Sequence, residues 1–470
     1  MHDLEPGLAR QLENAGQETL LRHLAQVGPG ERRSLVEQLR AIDLDLVAHL
    51  IREHVTEARP AAAPAARRLE PAPILPPPGS DPAGEARARR AGEDLLRAGR
   101  VGLFLVAGGQ GSRLGFEGPK GLFPAGPVTG KPLFQLFAER IAALRRRYGA
   151  PLPWFVMTSA ANHEATGAYF EAEGWFGLGR DTVHLVCQGM LPAVDLQGRL
   201  MLEERGRLFL SPDGHGGALR ALSVSGGLEE LRRRGVEHLF YFQVDNPLAP
   251  IADPLFLGHH ALARSEMSTK VVEKRHPAER LGVLGRVDGR LTVIEYSDLP
   301  KELAAERDDE GRLRFRAGNI AIHAFSRAFL ERRAAGGPLP FHRAIKRMAA
   351  LDPDRPDAPR ADVQGIKFES FIFDILGDAR AALTQEVRRE EEFSPIKNKE
   401  GEDSPATARR DLMNLFGRWL EAAGVAVPRD EAGNVGAELE IDPLYALDAE
   451  ELRRRLPPGL RAGRRLHLKA

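Results

Sequence analysis

From about Arg100 to Ile375, short apolar runs of strand length alternate with amphipathic stretches of helix length, and this alternation limits the fold more tightly than any other feature of the chain. Val101–Val106, Trp154–Thr158, Val183–Val186 and His238–Val244 read as buried strands. Leu133, Leu136, Phe137 and Leu144 mark one face of a helix, and Leu228–Arg234 and Pro254–Ala263 read as further helices between strands. Strands buried on both faces and separated by helices build a mixed, mainly parallel sheet covered on both sides, a Rossmann-like α/β fold. Ligands of such sheets bind at the carboxyl ends of the strands. Leu281–Val287 and Leu291–Tyr296 flank Asp288-Gly289, a strong two-residue hairpin signal, so an antiparallel element is expected within the α/β core.

Before this region, Leu8 to Val55 reads as amphipathic helices, with Leu20, Leu21, Leu24 and Val27, then Leu35, Leu39 and Ile42, at helical spacing. Thr56 to Pro82 is Ala/Pro/Arg-rich and reads as a linker or a wrapped extended segment. At 470 residues the chain is too long for one simple core. Lys+Arg and Asp+Glu both number 66, which disfavours a dedicated nucleic-acid binder. A single cysteine excludes an internal disulfide and a cysteine-based zinc cluster; Cys187 lies in an apolar run and is expected to be a small buried residue. The start of the chain lacks a charged-then-apolar leader pattern, and the run Val101–Ala107 is far too short to span a bilayer. No membrane association and a cytoplasmic location are therefore expected.

The strand Val101–Val106 runs directly into Ala107-Gly108-Gly109-Gln110-Gly111. Glycines there let backbone N–H groups approach a phosphate or a base. Lys131 follows Gly130 but precedes Pro132, so this is not a P-loop, and Gly115 comes one position late for a dinucleotide fingerprint. Arg113 and Lys120 place two cations close behind the loop, where a triphosphate needs neutralising. Lysine is scarce: the chain holds only Lys120, Lys131, Lys270, Lys274, Lys301, Lys346, Lys367, Lys397, Lys399 and Lys469 against a large arginine excess. Where general positive charge is supplied by arginine, each lysine is a candidate for a specific task.

These segments, taken in order, resemble the eukaryote-type UDP-sugar pyrophosphorylases (UDPGP type 1), in particular their UDP-N-acetylglucosamine/galactosamine branch. The run GGQGSRLGFEGPKG starting at Gly108 is similar to the family's GGxGTRLGxxxPKG. Gln188-Gly189-Met190-Leu191-Pro192, Pro212-Asp213-Gly214-His215-Gly216-Gly217, Val244-Asp245-Asn246, Val271-Val272-Glu273-Lys274 and Glu295-Tyr296-Ser297 each resemble a family motif. So do Ala317-Gly318-Asn319-Ile320-Ala321, the stretch from Gly365 to Asp374, Arg389 to Asn398, and the lead-in Gly16-Gln17-Glu18. The resemblance implies a nucleotidyltransferase (GT-A-like) fold. It divides the chain into a helical segment and linker (1–98), a nucleotide- and sugar-binding catalytic domain (99–385), and a lid loop with a small domain (386–470). The implied reaction joins UTP to a sugar 1-phosphate, giving a UDP-sugar and pyrophosphate.

By the same resemblance, Val106, Ala107, Gly108 and Gly109 hold the uridine nucleotide, and Arg113, Lys120 and Lys397 serve catalysis. Gln188 and Gly214 contact uracil, and Lys367 lies near the phosphates. Asp245 binds nucleotide and Mg²⁺, which takes few carboxylates together with substrate phosphates. Gly282, Glu295, Asn319, Lys397 and His215 face the sugar. His215 is a departure: the N-acetylhexosamine branch has Asn there, and Gly214-His215-Gly216 is similar to the UDP-glucose and broad UDP-sugar enzymes. UDP-N-acetylglucosamine is thus the first expected product and UDP-glucose the alternative. A non-catalytic nucleotide-sugar-binding protein would lack one of the charged groups, and Arg113, Lys120, Asp245, Lys367 and Lys397 are all present. Ser112 for Thr keeps a hydroxyl, and Pro247 after the Asp-Asn pair alters backbone rather than charge.

Overall fold

The computed structural model describes residues 5–57, 68–355 and 357–470, and these group into two compact units. The larger unit is built from 68–187, 221–337 and 375–470, the smaller from 5–57, 188–220 and 338–374. The three-part division expected from the sequence follows chain order, whereas each unit gathers segments far apart in the chain.

The larger unit contains a ten-stranded mixed sheet. Its centre is parallel, with His238–Gln243, Val101–Val106, Trp154–Thr158 and Val183–Cys187 side by side. The first three are almost wholly buried, which explains their unbroken apolar sequence. Ala317–Ser326 pairs antiparallel with His238–Gln243, and Met267–Glu273 pairs with it in turn. The expected hairpin is Val283–Val287 with Arg290–Ile294, and Asp288 and Gly289 both take positive φ (52° and 83°), as the turn demands. Part of the Pro-rich stretch is an edge strand: Leu69–Pro71 pairs with Val283–Val287, while 58–67 lie outside the described residues. Helices Leu133–Tyr148 and Pro254–Leu262 supply buried faces to the core. Cys187 corrects an expectation: it ends its strand exposed rather than buried.

The C-terminal part of this unit packs the helix Pro405–Ala422, capped by Ser404, against the parallel pair Glu438–Ile441 and Arg465–Leu468. In the smaller unit, four helices (Pro6–Asn14, Glu18–Gln26, Pro29–Arg40, Leu44–Ile51) share one core with Leu191, Leu202, Leu208 and Phe368. Buried Gln17 stitches them on: its amide donates to the carbonyl of Gly198 (2.9 Å) and accepts from the N–H of Leu200 (2.7 Å).

Candidate active site

In the larger unit the glycine loop leaves the carboxyl end of Val101–Val106, and Asp245 follows the neighbouring parallel strand, whose Val244 N–H still donates to the carbonyl of Val106 (3.0 Å). The loop is held from behind. Asn162 Nδ2 donates to the carbonyls of Ala107 (2.9 Å) and Gly109 (3.2 Å), and Ser159 Oγ donates to that of Gly108 (2.7 Å). With the carbonyls so engaged, the N–H groups of Gly108 and Gly109 have no acceptor among the described residues, the arrangement that suits an anion. Ser159 and Asn162 lie some fifty positions downstream of the loop, and no local motif in the sequence marks them.

Lys120 opens a 3-10 turn, Lys120–Leu122, and its N–H donates to the carbonyl of Gly109 (3.1 Å). Its ammonium lies 4.0 Å from Asp245 Oδ2 and both side chains are largely buried. Burial pushes the Lys120 ammonium below the ordinary lysine value; Asp245 opposes this, and the charges of Lys397 and Arg113 add to it. Arg113, in the short turn Ser112–Leu114, is exposed and makes no ion pair among the described residues. Lys397 lies over the ring of Phe393 (5.6 Å) and 3.8 Å from Asp403. The larger unit therefore brings together the loop, Lys120 and Asp245, with Arg113 and Lys397 within electrostatic reach.

The same unit brings together Gly282, Glu295 and Asn319. A side chain at Gly282 would run into Glu295 Oε1 and Val293, and the Gly282 carbonyl accepts from the N–H of Asn319 (2.8 Å). Asn319 Oδ1 accepts from the N–H of Ala321 (3.0 Å), which sits at φ 55° in the irregular pairing with Met267–Glu273. That half of the Asn319 amide supports the bulge.

In the smaller unit, Gln188 is buried and Lys367 lies over the ring of Phe209 (5.4 Å). Gly214, at φ 84°, and Gly216 lie so close to the backbone of Ser370 and Phe371 that no Cβ fits at either position. His215 stacks on Phe371 (5.2 Å between centroids), which also stacks on His342 (4.8 Å) and Phe373 (5.1 Å). Its Nδ1 accepts from the N–H of Ile372 (3.3 Å), so the proton of the neutral ring sits on Nε2. Burial and nearby His342 push the His215 pKa down to about 4. Asp213, next to Gly214 in the same motif, is buried with its carboxyl pushed up to about 7 by burial, and its Oδ1 finds no partner among the described residues.

Among the described residues, one cluster outside these groups has metal-ligand types, namely Glu440, Asp442 and His467. Both Glu440 oxygens and Asp442 Oδ1 are already used. Glu440 accepts from the N–H groups of Val128 and Thr129 and from the Thr129 hydroxyl, while Asp442 receives Lys131 Nζ (2.8 Å) and His467 Nε2 (2.9 Å). It anchors the C-terminal strands to the turn before Lys131.

A glycine loop at the end of a parallel strand, with cations ahead of it and a carboxylate on the adjoining strand, defines a nucleotide-binding α/β protein of the nucleotidyltransferase kind. The chain belongs to the UTP--glucose-1-phosphate uridylyltransferase (UDPGP) family, whose model matches residues 86–403. It is 37% identical to the human UDP-N-acetylhexosamine pyrophosphorylase-like protein 1, covering 95% of this chain and 94% of that protein. It is 38% identical to the UDP-N-acetylglucosamine pyrophosphorylase of Saccharomyces cerevisiae, over 72% of this chain and 73% of the yeast enzyme. In structure it resembles the uridine diphosphate N-acetylglucosamine pyrophosphorylase of Trypanosoma brucei, with a TM-score of 0.83 at 28% identity, covering 98% of this chain and 97% of that one.

Proposed function

We propose that the chain transfers the uridylyl group of UTP to a sugar 1-phosphate, with N-acetylglucosamine 1-phosphate as first substrate. A phosphate oxygen of the sugar attacks the α-phosphorus of UTP; a new P–O bond forms, the bond to the β-phosphate breaks, and pyrophosphate leaves. Such a reaction needs positioning and charge stabilisation rather than a nucleophilic side chain. The observation that carries the reading is the Lys120–Asp245 pair beside the anchored glycine loop. Lys120, Arg113 and Lys397 are cations for the triphosphate and the departing pyrophosphate. In this reading Gln188 and Gly214 hold uracil, Lys367 a phosphate, and Gly282, Glu295 and Asn319 the sugar.

The Asp245 carboxylate fits Mg²⁺, since its oxygens take no hydrogen bond among the described residues and lie next to the phosphate-facing cations. A bound Mg²⁺ would neutralise charge on the triphosphate. Among the described residues no helix is long and apolar enough to cross a membrane, in keeping with soluble substrates.

Incubation with UTP, Mg²⁺ and a panel of sugar 1-phosphates, with pyrophosphate measured, tests the reading. Release with N-acetylglucosamine 1-phosphate is expected, and no release with any sugar defeats it. The sugar choice turns on His215. With Nδ1 accepting from Ile372, the neutral ring carries a single N–H, on Nε2, where an asparagine amide carries donor and acceptor together. UDP-glucose formation is the second reading that this favours. His215→Asn should raise the kcat/KM ratio of N-acetylglucosamine 1-phosphate to glucose 1-phosphate by about tenfold, the scale of one hydrogen bond. An unchanged ratio removes His215 as the selector.

A further inference from the structure

The segment that ends at Lys397 is tied to the Asp245 strand end by three bonds at alternate residues. Asn246 Nδ2 donates to the carbonyl of Glu392 (2.7 Å). Asn246 Oδ1 accepts from the N–H of Ser394 (3.2 Å), and the Asp245 carbonyl accepts from the N–H of Ile396 (2.8 Å). Glu392 ends the short helix Arg389–Glu392, and residues 394 and 396 present one edge of the extended stretch that follows, which Pro395 helps to keep extended at Ser394. Lys397 is the next residue.

The holder is itself held. Asn246 is buried, and its Oδ1 also accepts from the N–H of Leu248 (3.3 Å). Arg140, reaching from the helix Leu133–Tyr148, donates to the carbonyls of Pro247 (3.1 Å) and Ala249 (2.7 Å). Glu392 is fixed from its other end, because its carboxylate and that of Asp253 each lie 2.7 Å from Lys270, a lysine with no exposed surface. Burying such a charge is costly unless it is paired, so this arrangement resists displacement of residue 392.

We infer that Asn246 is a positioning residue that sets Lys397 in place relative to Lys120 and Asp245. The inference rests on the uridylyltransferase reading. Asn246 touches no reacting atom: it acts through the backbone of 392–394. An amide suits the task because it supplies a donor and an acceptor from one rigid group.

The test compares Asn246→Ala and Asn246→Asp with the unmodified protein. Asn246→Ala removes both bonds to the segment. Asn246→Asp keeps the acceptor and the shape but loses the donor, so it reports even if the alanine variant fails to fold. Amide exchange across 392–397 should accelerate in both, while the strands Val101–Val106 and His238–Gln243 remain protected. kcat should fall by about ten- to a hundredfold in Asn246→Ala and less in Asn246→Asp, with KM for UTP moving by less than about threefold, as expected when a reacting group is misplaced rather than a binding group lost. In a Lys397→Ala background, Asn246→Ala should cost nothing more. Unchanged exchange at 392–397, an unchanged kcat, or losses that multiply in the double variant each overturn the inference. Absence of turnover by the unmodified protein defeats the functional reading, and the exchange measurement still decides whether Asn246 holds the segment.

Discussion

Lys120 carries its charge under opposing influences: burial, Lys397 and Arg113 lower its pKa, and Asp245 sustains it. A lysine is a cation only below its pKa, so activity that needs the charge should fall as pH rises through a value beneath the ordinary 10.5. Lys120→Arg should move that alkaline limb upward, since guanidinium stays protonated, even though its planar fork lowers the neutral-pH rate. Lys120→Ala should reduce kcat by about 10²–10³-fold, the usual effect of losing one preorganised donor. A kcat/KM profile for pyrophosphate release reads both. Lysine scarcity made such residues visible in the sequence: Lys270 proves fully buried between carboxylates and Lys131 is paired with Glu139 and Asp442. Ser159, Asn162 and Asn246 stayed invisible as positioning groups. Their partners are backbone atoms about 50 to 150 positions away, and such a bond leaves no local pattern.

At the scale of elements, two helices of the larger unit pack backbone to backbone through glycine. Gly92, in the helix Pro82–Arg97, lies against the carbonyl of Pro254, and Gly258, in the helix Pro254–Leu262, lies against that of Ala88. A Cβ at either position would overlap backbone, which cannot swing aside as a side chain can. Gly258→Ala should therefore destabilise despite the better helix propensity of alanine, by about 3 kcal/mol, the scale of overpacking. A melting temperature lower by roughly 4 °C would follow in a unit of this size, whereas a rise would show that the two helices separate freely. Strands and helices were legible because burial writes itself into period and composition, and the Asp288-Gly289 hairpin because its turn needs two positive φ values. Which helices touch was not legible: nothing in the sequence around Gly92 or Gly258 points to the other. The edge strand Leu69–Pro71 was ambiguous for a similar reason, since only its partner Val283–Val287 distinguishes it from a linker.

For the molecule as a whole, chain order and compact units do not coincide. The helices before residue 57 contribute Leu12, Leu35, Leu39 and Val47, all essentially without exposed surface, to a core shared with Val194, Leu202 and Phe368 from segments far along the chain. Their amphipathic period announced a buried face but could not name what covers it. In consequence the stability of the backbone around Gln188, Gly214, His215 and Lys367 depends on helices that carry none of the proposed site residues. Leu35→Ala should leave a cavity and cost about 2–5 kcal/mol. If the smaller unit opens as its own cooperative element, hydrogen exchange should accelerate in 191–208 and in 361–370, while the parallel strands Val101–Val106 and His238–Gln243 keep their protection. Equal acceleration everywhere would mean that both units open together, and acceleration confined to the helices would mean that they are a detachable layer. Under the first pattern, the residues proposed for uracil would loosen before those proposed for the triphosphate, and KM for UTP should rise with temperature before kcat falls.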